Sequence, residues 1–146
     1  MNTISLPDSP QAISECRSVI DIENIQEPVI YKYFSSLNQS NFGEVAKLFS
    51  AQGCLYPPFE KGICGREAIC RYLQAEAIGI EAFPQSGTIQ AERDSNCVYQ
   101  IIGYVKTSLF TVNVGWSIEL NIDREIVSVK VKLLAKLQDL LELKRG

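Results

Sequence analysis

Histidine is absent from the 146 residues, and this removes much of the familiar nucleophile and proton-transfer chemistry. Ser-His and Cys-His pairs, histidine general bases, His-ligated zinc and a histidine pH switch are all excluded. Carboxylate and phenol chemistry remains. An Asp or Glu base beside a Tyr or Asp oxyanion donor suffices for small isomerases and dehydratases, and Tyr33 and Glu76 are the residues that could fill those roles. Each has a plainer reading. Tyr33 shares a four-residue spacing with Ile25, Val29 and Leu37, so it reads equally as a core residue that needs one hydrogen bond. Glu76 reads equally as a solvated charge at a helix end. The inward strand positions from Trp116 to Ile122 and from Val127 to Leu133 are apolar and supply no acid or base, so a binding protein is expected and not an enzyme. Phe110 and Trp116 add flat aromatic surface to the same face, although composition alone does not separate a lined cavity from a packed core.

Cysteines stand at 16, 54, 64, 70 and 97, an odd count without a Cys-x-x-Cys pair. Neither a disulfide framework nor a zinc ribbon is indicated. Reduced thiols in a cytoplasmic protein, most of them small core residues, are the expectation, with no bound metal. The formal net charge of −3 disfavours a general nucleic-acid or anionic-membrane binder. The N-terminal stretch lacks the basic and apolar regions of a signal peptide, and no run of about 18 apolar residues is present to span a membrane.

These side chains must be positioned by local elements. Residues 1–20 are polar, with Pro7 and Pro10, and read as an arm with a weak helical signal over 12–20. Residues 21–146 read as one domain. The stripe Ile25, Val29, Tyr33, Leu37 predicts an amphipathic helix, with Pro28 tolerated near its start. Asn41 and Glu44 resemble a capping box opening a shorter helix through Phe42, Val45, Leu48 and Phe49, which Gly53 would stop. Residues 54–65, with two prolines and two glycines, predict extended chain and turns. Gly65 opens a third helix with Ile69, Tyr72 and Leu73 on one face. From Ile80 the period becomes two. Strands are predicted over 86–92 and 97–107, then from Trp116 to Ile122 and from Val127 to Leu133, the last two joined by a tight turn at 123–125. The C-terminal stretch returns to helical spacing with Leu133, Leu137, Leu140 and Leu141. Helices followed by a meander give an α+β architecture, with helices on one face of a curved antiparallel sheet and room for a pocket between them.

Four segments carry a resemblance: EPVIYKYFSSLNQSNFGEVAKLF, CLYPPFEKGICGREAICRYL, FTVNVGWSIELNI and VKLLAKLQDLLEL. In order and spacing, from about Ile22 onward, the chain resembles the C-terminal domain of the orange carotenoid protein and its stand-alone homologues. These have the cone-shaped nuclear-transport-factor-two-like fold, with helices packed on the concave face of the sheet. The resemblance implies non-enzymatic binding of an apolar polyene, a ketocarotenoid, as a carrier or quencher in photoprotection. It assigns Tyr33 as the hydrogen-bond donor to the ligand carbonyl, with Leu37, Phe110, Trp116, Ile118 and Leu120 as walls. The family's second donor, a strand tryptophan, falls on Leu120, which cannot donate. Trp116 lies on the same strand face four residues earlier, ~13 Å away along the strand. The resemblance further implies a homodimer, Glu76 as a contact to a partner protein, and Cys97 as the site of a disulfide between protomers. A helical protein that exchanges carotenoid, a transient membrane contact during uptake, and a C-terminal helix acting as lid or dimer element complete it. The alternatives are a non-carotenoid interaction module with a filled core, and a small isomerase or dehydratase.

Overall fold

Pro28 marks the start of the first regular element in the computed structural model, which describes residues 19–134 apart from position 94, and backbone alone for 91–93. Helix α1 spans Pro28–Asn38. The Glu27 carboxylate accepts from the Val29 N–H at 3.5 Å and pairs with Arg124 at 3.4 Å, so one acid caps the helix and ties it to the turn at residues 121–125. Ile30, Tyr33, Phe34 and Leu37 form the buried face. Ile25 belongs to the same apolar stripe but lies ahead of the helix, in a segment held by Tyr31. The Ile22 N–H donates to the Tyr31 hydroxyl, which donates to the Ile25 carbonyl at 2.7 Å. At the other end of α1 the Asn38 side chain accepts from the Ala82 N–H at 2.7 Å and donates to the Ala82 carbonyl at 2.9 Å. Helix α2, Phe42–Lys47, begins at Asn41 without a side-chain cap, so the capping box expected there does not form.

Strand β1, Phe49–Tyr56, occupies residues that the spacing assigns to a helix end and turns. Its pairing partner β6, Ile126–Leu134, lies some seventy residues away and runs parallel to it. Gly53 therefore does not stop a helix. It sits where a Cβ would lie 2.7 Å from the Ile126 carbonyl oxygen, so glycine permits the close approach of two strands. The two-residue strand β2, Ile63–Cys64, pairs antiparallel with β1 and sets Cys54 directly opposite Cys64. These two are joined by a disulfide, which corrects the expectation of reduced thiols throughout. Spacing along the chain does not reveal cross-strand register, and register is what brings the two sulfurs together. Helix α3, Arg66–Glu76, buries Ile69 and Leu73, and Gly65 enters it at φ 95°, a conformation that favours glycine.

Strands β3 (Glu81–Arg93), β4 (Asn96–Lys106), β5 (Thr111–Leu120) and β6 form an antiparallel meander within the sheet order β2-β1-β6-β5-β4-β3. The β1–β6 pair is thus the parallel exception in an otherwise antiparallel sheet. Register shifts between Pro84 and Ser86, Ile89 and Ala91, and Glu119 and Leu120 add local bends to the curved sheet. Strand β3 is longer than its alternation suggests because these shifts break the period of two. Strand β5 ends at Leu120. Ile122, expected on its inward face, is 73% exposed in a turn where Asn121 accepts from the backbone of Asp123 and Glu125. The registers stack Ile101, Trp116 and Val131 in one row and Tyr99, Ile118 and Val129 in the next, on the face that α1 covers through Phe34. The sequence suggested helices within 12–20 and beyond Leu134; apart from residues 19 and 20, which are not helical, these stretches lie outside the described residues.

Candidate functional site

An apolar cavity of about 310 Å³ opens between α1, α3 and the sheet, at the small end of the roughly 300–1,000 Å³ typical of ligand sites. Period-two alternation along β5 and the residue just ahead of it places Phe110, Val112, Val114 and Trp116 on its wall in turn. Exposure falls steeply along this row, from 56% at Phe110 to 2% at Trp116. On β6 the lining passes from Leu133, 41% exposed, to Val131 and stops there. The mouth therefore lies at the Phe110 and Leu133 end, and the inner end lies at the level of Trp116. Helix α1 supplies Tyr33 and Leu37, both buried, on the facing wall.

Tyr33 and Trp116 are the buried lining residues whose side chains carry a polar atom. The Tyr33 side chain is 3% exposed, and its hydroxyl makes no hydrogen bond among the described residues. Burial pushes its pKa up, since the phenolate would lack both solvent and a counter-charge. It is therefore a neutral phenol with its proton available to an acceptor. Trp116 packs edge-to-face on Phe34 at 4.9 Å, and Phe34 packs in the same way on Tyr33 at 5.1 Å. The indole N–H likewise has no acceptor among the described residues.

The mouth is more polar. Glu76, the last residue of α3, lines it and is exposed. The Tyr72 hydroxyl donates to Glu60 at 3.5 Å. Its pKa is raised by partial burial first, then by the Glu60 and Glu76 carboxylates and the Glu60 hydrogen bond. Tyr33, Tyr72 and Glu76 are the ionisable groups on the lining, and the carboxylate sits at the rim while Tyr33 sits at the inner end.

The structure thus brings together Tyr33, Leu37, Phe110, Trp116 and Glu76 around one cavity. Ile118 and Leu120 lie elsewhere. Both have no exposed surface and belong to the buried core cluster that also holds Phe34, Phe49 and Val45. Cys97 stands opposite Leu120 in the β4–β5 register, half-buried against the core. Cys70 is also half-buried. Leu55 from β1, Pro57 and Pro58 from the turn after it, and Val105 and Thr107 at the end of β4 also line the wall, and the sequence reading does not assign them to a site. The Pro-Pro pair in a turn-rich segment was the available signal. Among the described residues no cluster of Cys, Asp and Glu could hold a metal, and no helix is long and apolar enough to cross a membrane.

No family model matches the chain. Over 138 residues, 92% of this chain and 43% of the relative, it is 31% identical to an orange carotenoid-binding protein of Limnospira maxima. Its fold superimposes at a TM-score of 0.80 and 31% identity on the orange carotenoid protein of Anabaena (Nostoc) sp. PCC 7120 binding canthaxanthin, over 84% of this chain and 40% of that one. The chain is a homologue of the orange carotenoid protein. It spans less than half the length of that protein and corresponds structurally to its C-terminal domain. A nuclear-transport-factor-two-like protein of Cytophaga hutchinsonii, 15% identical with a TM-score of 0.59 over 81% of this chain and 98% of its own, supports the fold class alone. Within the orange carotenoid protein fold the cavity of this homologue ends at Trp116, one strand row before Ile118 and two before Leu120.

Proposed function

We propose that the cavity binds one end of an apolar polyene that carries an acceptor oxygen, a ketocarotenoid, without catalysing a reaction on it. The observation that carries this reading is the Tyr33 hydroxyl, buried, unpaired among the described residues and set on a largely apolar wall. A buried donor without a partner destabilises the ligand-free state, and a carbonyl oxygen would relieve it. Canthaxanthin, which the Anabaena relative binds, is a ligand of this chemistry. The open cavity supports binding over the reading of a filled-core interaction module. The separation of the rim carboxylate from the inner phenol supports binding over isomerase or dehydratase chemistry, which needs base and donor around one reacting centre.

The protein would act as a carrier or quencher in photoprotection, in the cytoplasm and as a homodimer. Transfer to a membrane or to a helical partner would take place at the mouth. There Phe59 and Leu109, both strongly exposed, adjoin the lining residues Pro58 and Phe110, and Glu76 offers a charged contact. The test is expression in cells that make ketocarotenoids, followed by an absorption spectrum of the purified protein. A red-shifted visible band is expected. A colourless protein, with a homologue coloured in the same cells, would contradict the reading.

A further inference from the structure

The Cys54–Cys64 disulfide joins β1 to β2 at the foot of the turn over residues 57–62, and that turn is part of the cavity. Pro57 and Pro58 line the wall together with Val131 and Leu133, and Phe59 follows them at 93% exposure. Apart from the Tyr56 ring, which lies against Gly62, little else holds the turn among the described residues. Strand β2 is two residues long. The Glu60 N–H reaches the Pro57 carbonyl at 3.5 Å, and the Tyr72 hydroxyl reaches the Glu60 carboxylate at 3.5 Å, both beyond the usual range for a hydrogen bond. Phe59 adopts φ 63°, a left-handed conformation that is costly for a bulky residue, and no burial offsets the cost. We propose that Cys54–Cys64 is a redox clasp on the cavity mouth. Oxidised, it holds the turn as a wall and retains the ligand; reduced by a dithiol, it frees the turn and speeds ligand exchange. This rests on the polyene-binding reading above.

The clasp is open to a reductant. Cys64 is exposed and Cys54 half-buried, and β2 is the outermost strand of the sheet. Exposed disulfides are the ones that take part readily in thiol–disulfide exchange. In the cytoplasm proposed above, disulfides are characteristically transient or redox-sensing. One thiolate of the dithiol attacks the Cys64 Sγ, the bond to Cys54 breaks, and the Cys54 thiolate takes up a proton. The second thiolate of the reductant then displaces Cys64, which is protonated in turn. Two electrons and two protons pass to the protein, and the dithiol becomes a disulfide. Reduction removes the tie across a sequence separation of 10 and returns conformational freedom to the turn. A ligand held against the wall must then order the turn, a cost that the oxidised protein has already met.

The test uses the full chain loaded with canthaxanthin and mixed with phosphatidylcholine vesicles, and the visible absorption of the separated vesicles follows pigment transfer. Free thiols are counted before and after treatment with dithiothreitol, and far-UV circular dichroism reports whether the fold persists. Reduction is expected to speed transfer about ten-fold, the cost of ordering roughly one residue of the turn. Cys97→Ser is expected to keep that response, since Cys97 stands on β4 and not at the turn. Cys54→Ser/Cys64→Ser is expected to transfer at the reduced rate with or without dithiothreitol. Equal rates before and after reduction, or a response that survives in the Cys54→Ser/Cys64→Ser protein, would overturn the clasp while leaving polyene binding intact. Loss of the fold on reduction would make the disulfide a structural staple and overturn the clasp as well. Failure of the oxidised and reduced protein alike to load canthaxanthin would overturn the polyene reading itself, and the clasp with it.

Discussion

Substitution of Tyr33 by Phe should move stability and affinity in opposite directions. The hydroxyl is buried and has no hydrogen-bond partner among the described residues, while its ring packs edge-on against Phe34 at 5.1 Å and Phe49 at 6.5 Å. Phenylalanine keeps those ring contacts. Removing an unsatisfied buried hydroxyl relieves part of a desolvation cost of about 1–3 kcal/mol, so ligand-free protein should gain about 1 kcal/mol. For a domain of this length that is a rise in Tm of about 3–4 °C. The ketocarotenoid would lose one hydrogen bond worth about 1 kcal/mol, or roughly five-fold in Kd. Thermal melts of ligand-free protein and ligand titrations on the same two samples read both changes. A fall in Tm would show that the hydroxyl is satisfied within the protein. An unchanged Kd would show that it does not meet the ligand. Either result refutes the reasoning.

Four further outcomes follow from the same structure. Leu120→Trp should not improve ligand affinity, because position 120 does not line the cavity, and it should cost about 1–3 kcal/mol in a denaturant melt by overpacking the core. Asn38→Ala should cost about 1–3 kcal/mol, since it strands the N–H and carbonyl of fully buried Ala82, each otherwise paired. Reduction of Cys54–Cys64, which closes a loop of sequence separation 10, should lower stability by about 2–3 kcal/mol on the chain-entropy estimate, measured by melts with and without a dithiol reductant. Alkaline melts should show stability level up to about pH 10, the unfolded tyrosine value, and falling above it. Burial raises the pKa of Tyr33 in the fold, so the unfolded chain loses its proton first, and the Tyr33→Phe protein should lack that part of the loss.

Local periodicity carried the parts of the fold that the sequence revealed. The stripe through Val29, Tyr33 and Leu37 and the alternation Trp116, Ile118, Leu120 depend on neighbours in the chain, and both elements stand where the pattern puts them. The larger departures involve distant partners. Phe49–Tyr56 becomes a strand because β6 accepts it in parallel, and Cys54 meets Cys64 because of that strand's pairing with β2. Tyr33, Leu37, Phe110, Trp116 and Glu76 reach one cavity. Whether an inward residue lines a void or fills a core was not legible, because Ile118 and Trp116 belong to the same alternation. How α1 and β1 pack on the sheet decides it, and that packing joins residues distant in the chain.

The fluorescence of Trp116 gives the most direct test of the central claim. As the single tryptophan at the inner end of the cavity, it should be quenched saturably, at one ligand per cavity, when the protein is titrated with canthaxanthin. The midpoint should move to higher concentration in Tyr33→Phe. Emission that falls only by the inner-filter effect of the free pigment, alike in both proteins and in free tryptophan, would mean that the cavity does not take the polyene.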